Sequence, residues 1–371
     1  MSSIVKQRSV TFVNNTQPAK ITEKDLDLDT CYKDDEIVVK IHSAALNPMD
    51  YILHHMATKW IASRKSKTYG MDYAGEIVRR GTRVETKWQI GDHINGQLIH
   101  GFDDKGTLSD YLVFKPCQYK GVGHMKTIDY LNEDITNRFN QFDISTSYPL
   151  VFATAYIALF GHGQKLGPNS KILVNGASTA VSNCLIQIAK KHLNVGTVVG
   201  VCNSNSFEYN KKAGFDRLFA YNEPKMMDKI QNYIKDEMEG EKFDMIFDSV
   251  GTSQYYPVIH SLMKPRKEDS YYVAVVGKGK QNYHGGLLDM ISNYPVKHIV
   301  LSHNPWRTYN YIHTRAKAES NFMELAALMI SRKQFIPPLD SVFELKDFEK
   351  AIEKSQSNRA KGKIVIRINE D

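Results

Sequence analysis

The stretch Lys171 to Lys190, KILVNGASTAVSNCLIQIAK, restricts the fold more than any other part of the chain. Ile172, Leu173 and Val174 form a short apolar run that reads as a buried strand. A tight turn follows at Asn175-Gly176-Ala177-Ser178. Val181, Cys184, Leu185, Ile188 and Ala189 then recur at the spacing of one helix face. Strand, turn and helix in this order open a dinucleotide-binding βαβ unit. There the helix N-terminus offers free N–H groups and a positive dipole end to a pyrophosphate. Gly196 to Val201 supplies the next strand. The glycine fingerprint is incomplete, because Thr179, Ala180 and Ser182 stand at positions that are usually small and Gly-rich. Each added Cβ narrows the approach of backbone to phosphate.

The same alternation continues to about Gly277. Phe243 to Asp248 and Tyr271 to Val276 read as strands, Ser206 to Ala213 and Lys225 to Glu239 as helices. Alternating units imply a parallel sheet covered on both faces, with ligands beyond the strand C-termini. That edge carries Asn175-Gly176, Cys202-Asn203, Asp248-Ser249-Val250 and Gly277-Lys278. Residues before about 145 read instead as short strands between Gly-rich turns, including Glu36 to His42, Tyr73 to Arg79 and His93 to Leu98. This pattern suits a compact barrel-like domain. Residues 120–147 read as a polar, irregular connection or surface insertion, and Pro149 to Leu159 as a helix. Helices near Ala318 to Ile330 and Leu345 to Lys354 precede a last strand, Lys363 to Ile368, which returns the chain to the first domain. The expected class is α/β, with a barrel domain over 1–145 and 310–371 and a doubly wound parallel sheet over 146–309.

Composition narrows the function classes. The 371 residues suffice for two domains, and no apolar run approaches a membrane span. The N-terminus lacks the apolar core of a secretory signal, so the expected location is the cytoplasm or a surface facing it. Cys31, Cys117, Cys184 and Cys202 form no CxxC pair and no zinc-like spacing with histidine. Net charge is +7 and dispersed, and no nucleic-acid module accompanies it. Its denser pieces read as solvated loops, or as sites for a phosphorylated cofactor or lipid headgroups.

A set of ordered motifs adds to this reading. They are Leu46-Asn47-Pro48-Met49-Asp50, Gly70-Met71-Asp72-Tyr73-Ala74-Gly75-Glu76-Ile77-Val78, Gly91-Asp92-His93-Ile94-Asn95-Gly96, Gly106-Thr107-Leu108-Ser109-Asp110-Tyr111, Thr154-Ala155-Tyr156, Phe243 to Gly251 and Gly362-Lys363-Ile364-Val365. With them the chain resembles, over nearly its whole length, the zinc-free branch of the medium-chain dehydrogenase/reductase superfamily, the quinone-oxidoreductase or zeta-crystallin-like reductases. It is similar, within that superfamily, to a small fungal branch linked with lipid droplets, mitochondria, stress responses and targeting of a plasma-membrane proton pump. The resemblance implies a GroES-like β-barrel domain plus a Rossmann domain. Zinc-dependent relatives carry Cys near Ala44 or Ala45 and Gly-His-Glu where this chain has Gly70-Met71-Asp72, so no metal is expected.

The resemblance implies Asn47, Asp50 and Thr154 near a nicotinamide. Asn-Pro followed by Asp is equally ordinary turn chemistry. Tyr51 is a candidate proton donor to a carbonyl or quinone oxygen, although the family's tyrosine falls one position later, at Ile52. The cofactor set is Thr154, Gly176, Ala177, Ser178, Thr179, Ala180, Val181, Ser204, Lys212, Tyr221, Val250 and Gly277. Cys202-Asn203-Ser204-Asn205 has no acid to bind a ribose 2′-hydroxyl, which favours NADPH over NADH. Ser204 takes the family's 2′-phosphate role, Lys211 or Lys212 supplies the missing charge, and Tyr221 matches an adenine-side tyrosine. Two functions compete. One is an NADPH-dependent reductase of quinones, enones or other reactive carbonyls. The other is a non-catalytic scaffold for a protein partner or a membrane or lipid-droplet surface, reached through Lys59-Trp60-Ile61. Relatives often dimerise through an edge strand of the nucleotide domain, which makes a homodimer a further expectation.

Overall fold

The computed structural model describes residues 3–60, 65–98, 105–118, 121–251, 254–277, 296, 300, 306, 308–314 and 321–369. The chain divides into two compact units, Met1–Ala153 with Lys317–Asp371, and Thr154–Ala316.

The first unit is mainly antiparallel. β1 (Ile4–Phe12) pairs with β2 (Lys20–Asp27) and with β4 (Lys67–Thr68), and β3 (Ile37–Ala45) is the centre of a larger sheet. That sheet also holds β5 (Asp72–Arg80), β6 (His93–Gln97), β7 (Tyr111–Phe114), β8 (Val122–His124), and late in the chain β15 (Leu339–Glu344) and β16 (Lys363–Arg367). Val39, Ile41, Tyr73, Ile94, Phe114 and Ile366 lie in one buried cluster, so the closing strand packs with the opening ones. Helix α1 (Pro48–Met56) starts on Asn47, has Pro48 in its first turn, and returns the Asp50 carboxylate to the Asn47 N–H at 2.7 Å.

The stretch expected to be an irregular surface connection holds two short helices, α2 (Glu133–Thr136) and α3 (Gln141–Thr146). Phe142 to Thr146 are buried. Asn140 caps α3 and accepts from the Asp143 N–H at 2.8 Å, while Asp143 also receives Ser43 Oγ at 2.6 Å and the Arg367 guanidinium. Asn140 and Asp143 are therefore partners within the fold, whereas Asn132, Glu133, Asp134, Asn137 and Arg138 at and around α2 are exposed, as a surface connection requires. Helix α4 (Pro149–Phe160) follows, and the division between units falls within it.

The described residues of the second unit form a six-stranded parallel sheet with helices. Its strands are β9 (Lys171–Asn175), β10 (Thr197–Cys202), β11 (Arg217–Ala220), β12 (Met245–Asp248), β13 (Tyr271–Ala274) and β14 (Asn310–His313), in the order β11-β10-β9-β12-β13-β14. This is the 3-2-1-4-5-6 order of a dinucleotide fold. Ile172, Leu173 and Val174 are all fully buried, as a strand covered on both faces requires. Among the described residues, the helices between strands are α5 (Ala180–Lys191), α6 (Phe207–Ala213), α7 (Met226–Asp236) and α8 (Ile259–Leu262). Val199, Ile230, Ile246 and Tyr272 belong to a single buried cluster, which joins sheet and helices. Asn310 was expected to begin the return to the first domain. Instead β14 extends this sheet, pairing Asn310 with Tyr271 through His313 with Ala274. Helices α9 (Phe322–Ser331) and α10 (Phe348–Gln356) belong to the first unit. Among the described residues no helix is long and apolar enough to cross a membrane.

Candidate functional site

The sheet order puts the ends of β9 and β12 side by side, with Asp248 paired to Asn175, at the point where the winding reverses. Gly176 turns the chain out of β9 with φ +85°, and a Cβ there would lie 2.5 Å from Ser249 Oγ and from Val250 Cγ1. Glycine is therefore required at this position on both conformational and steric grounds. The neighbouring Ala177 is buried, and Gly200 makes room for it, since a Cβ on Gly200 would lie 2.9 Å from that of Ala177.

The departures from glycine further along the turn carry no backbone strain. Thr179 is the N-cap of α5 at φ −73° and ψ 153°, and its side chain accepts from the Ser182 N–H at 3.2 Å. Thr179, Ser182 and Ser249 hydroxyls stand 2.9–3.1 Å apart in a mutual cluster. Ser249 Oγ also donates to the Asn175 carbonyl at 2.9 Å. The cluster fastens the start of α5 to the end of β12. Ser178 points elsewhere: its Oγ accepts from Asn210 Nδ2 at 2.8 Å, and Asn210 is fully buried. Ala180 and Val181, the first residues of α5, are half-buried.

Beneath the turn lies a buried carboxylate. Asp248 accepts from Asn175 Nδ2 at 2.8 Å, Tyr272 Oη at 2.8 Å, Gly251 N–H at 2.9 Å and Val250 N–H at 3.2 Å. Burial pushes this carboxyl up, against four donors that stabilise its charged form. Tyr255 donates to Asn175 Oδ1 at 3.2 Å and closes the network. The phenol of Tyr256 nearby is pushed up to about 12 by burial. The loop that bears Ser249 and Val250 is thereby fixed from below.

At the end of β10, Ser204 is held by Asn222, and Asn203 Oδ1 accepts from the Asn205 N–H at 3.0 Å. Tyr221 is 61% exposed. Lys212 is exposed on α6, whereas Lys211 is paired with Glu208 at 3.2 Å. Gly277 is half-buried beyond β13, and Lys278 lies outside the described residues. Thr154, 8% exposed, lies on α4 in the same unit. Gly176 to Val181, Ser204, Tyr221, Val250 and Gly277 are thus grouped along the strand C-termini.

Asn47, Asp50 and Tyr51 are in the other unit, and all three are buried. Asn47 Nδ2 donates to Asp72 Oδ2 at 2.9 Å, and Lys363 Nζ donates to Asn47 Oδ1 at 2.5 Å, Leu46 O at 2.8 Å and Asp72 Oδ2 at 2.8 Å. Asp50 Oδ1 accepts from the Gly70 N–H at 3.2 Å. Tyr51 Oη lies 3.3 Å from Ser355 Oγ, so the candidate proton donor faces a helix of its own unit. Asp72 is the third residue of the Gly70-Met71-Asp72 triplet, and an ammonium group satisfies it. In the sequence Lys363 stands out only as part of the closing Gly362-Lys363-Ile364-Val365 motif. Its signal was a lysine opening an apolar strand, where burial demands an acidic partner. Asn210 and Asn222 gave no signal, being isolated amides in polar segments.

A chain built from a GroES-like unit and a 3-2-1-4-5-6 parallel sheet is, by class, a medium-chain dehydrogenase/reductase. Residues 33–123 match the model of the alcohol dehydrogenase GroES-like domain, and residues 213–366 that of zinc-binding dehydrogenase. The quinone oxidoreductase from Coxiella burnetii superposes with a TM-score of 0.71 over 98% of this chain and 100% of that one, at 19% identity. CurK enoyl reductase gives 0.71 over 97% and 99%, at 16% identity. Protein YIM1 of Candida glabrata is 43% identical over 369 residues, 99% of this chain and 100% of the relative. Protein YIM1-1 of Lachancea thermotolerans is 41% identical over 369 residues, all of both chains. The chain belongs to the fungal YIM1 proteins within the medium-chain dehydrogenase/reductase superfamily, whose members generally bind NAD(P).

Proposed function

We propose that the chain is a zinc-independent, NADPH-dependent reductase of quinones, enones or other reactive carbonyls. One observation carries the reading: at the reversal point of the parallel sheet, the Gly176 turn and the Ser249-Val250 loop are braced together by hydroxyls and by Asp248. A bound nicotinamide supplies the hydride in such chemistry. The chain's own residues bind and orient. The first N–H groups of α5 have no helical partner and carry partial positive charge, which suits a pyrophosphate. Ser178 accepts from Asn210, so its hydroxyl proton is available to a phosphate oxygen. The end of β10 presents amides and a hydroxyl instead of a carboxylate, so a 2′-phosphate meets no fixed negative charge there. Steady-state NADPH consumption with a panel of quinones and enones tests the reading. Turnover above the protein-free background supports it; a flat panel with protein that binds NADPH refutes the reductase.

A second role rests on Trp60, 96% exposed beside Lys59. We propose that it seats this stretch on an anionic membrane or lipid-droplet surface, indole in the interface and lysine at the headgroups. Flotation with phosphatidylserine vesicles decides: binding that Trp60→Ala abolishes supports the role, and binding unchanged by that variant ends it.

A further inference from the structure

We infer that Asn222 sets the choice between a phosphorylated and an unphosphorylated adenosine ribose, by holding Ser204 with its hydroxyl proton free to donate. The inference rests on the dinucleotide reading above and assigns one residue's task within it.

Register brings the two residues together. β10 and β11 are parallel, with Cys202 opposite Ala220, and the Tyr221 N–H donates to the Cys202 carbonyl at 3.0 Å. One residue later Asn222 stands against Ser204. Asn222 Oδ1 accepts from the Ser204 N–H at 3.0 Å, and Asn222 Nδ2 donates to Ser204 Oγ at 3.0 Å. This two-point clasp fixes its own sense. A backbone N–H can only donate, so the amide oxygen must face it, and the amide nitrogen must then face the hydroxyl.

The consequence falls on the Ser204 hydroxyl. Its oxygen has one proton and two lone pairs. With Asn222 Nδ2 donating into a lone pair, the proton cannot point at Asn222. No acceptor for it occurs among the described residues. The neighbouring Asn203 oxygen is already engaged by the Asn205 N–H at 3.0 Å. Ser204 therefore presents a donor, and the clasp contains no negative charge. Tyr221, beside it in sequence, is 61% exposed, so the strand end is open to a ligand. A donor without a fixed anion suits a phosphate monoester on the 2′ oxygen. A 2′-hydroxyl instead calls for a carboxylate acceptor.

Asn222→Asp reverses this logic with little change in shape. The carboxylate still accepts from the Ser204 N–H, but it also draws in the Ser204 hydroxyl proton and places a negative charge at the ribose. Asn222→Ala frees Ser204 without adding charge. The experiment is calorimetric titration of the full chain and both variants with NADPH, NADH, 2′,5′-ADP and 5′-AMP. Expected is a wild-type preference for the two phosphorylated ligands. Asn222→Ala lowers that preference roughly tenfold, the worth of one hydrogen bond to a charged group. Asn222→Asp lowers it further and strengthens NADH. A merely structural role weakens all four ligands together and leaves the ratios intact. Ratios unchanged in both variants overturn the inference and leave the reductase reading standing. A wild type that binds 2′,5′-ADP no better than 5′-AMP overturns it as well. A wild type that binds none of the four removes the dinucleotide reading, and this inference falls with it.

Discussion

Lys363→Met tests what holds the candidate residues of the first unit in place. Methionine keeps much of the lysine's length but removes the ammonium. Asp72 is then a carboxylate at 0% exposure, with Asn47 Nδ2 at 2.9 Å and the Leu150 N–H at 2.8 Å as its remaining donors. Asn47 Oδ1 and the Leu46 carbonyl lose a donor at the same time. An exposed ion pair is worth about 0.2–1 kcal/mol, whereas removing one partner of a buried pair costs about 3–5 kcal/mol. The second figure applies here, because Lys363 is only 4% exposed. With a urea slope of about 2 kcal/mol per molar, the transition of this unit should move down by roughly 1.5–2.5 M. The control is the double variant Lys363→Met with Asp72→Asn, which leaves no unpaired charge and should recover most of the loss. Urea unfolding followed by circular dichroism reads Lys363→Met, Asp72→Asn and the double variant against wild type. A single variant that costs less than about 1 kcal/mol, or a double variant whose cost equals the sum of the singles, refutes the reasoning.

Thr179→Ala removes the α5 cap and one corner of the hydroxyl cluster, and should cost about 1–2 kcal/mol in urea unfolding of the second unit. Gly176→Ala should cost more and should abolish dinucleotide binding in a filter or fluorescence titration, since its Cβ would meet Ser249 and Val250 at 2.5 Å from a backbone at φ +85°. His54 donates from Nε2 to the Gln17 carbonyl at 2.9 Å and accepts from Tyr69 Oη at Nδ1, and burial lowers its pKa below the usual value. The unfolded chain therefore binds the proton more tightly. The stabilisation is complete above about pH 6.5 and is lost as pH falls through the folded value, by at most about 1.4 kcal/mol per pH unit. Melting temperatures from pH 7.5 to 5 should fall faster in wild type than in His54→Gln, and parallel curves count against the assignment.

The second unit was legible because parallel strands covered on both faces read as unbroken apolar runs, Ile172-Leu173-Val174 being the clearest. What failed to read was polar and distant in sequence. Asn140-Gln141-Phe142-Asp143 looks like loop, yet Asn140 and Asp143 cap a buried helix, and the guanidinium that donates to Asp143 lies 224 residues away. Asp72 and Lys363 are separated by 291 residues, so neither predicts the other. Asn310-Tyr311-Ile312-His313 is too short and too polar at its ends to announce an edge strand. Sequence could place Ser204 near the strand end, but the clasp from Asn222 depends on β11 lying beside β10 in register.

The missing glycines can be weighed on the same terms. A glycine in such a turn serves either an unusual φ or a close approach of backbone to ligand. Only Gly176 meets the first need, and it is retained. Thr179 occupies ordinary extended space and places its hydroxyl inward, toward Ser182 and Ser249, so its cost to the fold is nil and its cap is a gain. The remaining cost falls on approach distance alone, at the methyl and methylene groups of Thr179, Ala180 and Ser182. Hydrogen-bond donors brought to the same edge by buried or clasping amides, Ser178 through Asn210 and Ser204 through Asn222, act in the opposite direction. The chain thus exchanges bare backbone contact for oriented hydroxyls. On the proposed dinucleotide reading, phosphate affinity then depends on Asn210 and Asn222, the two amides that hold those hydroxyls.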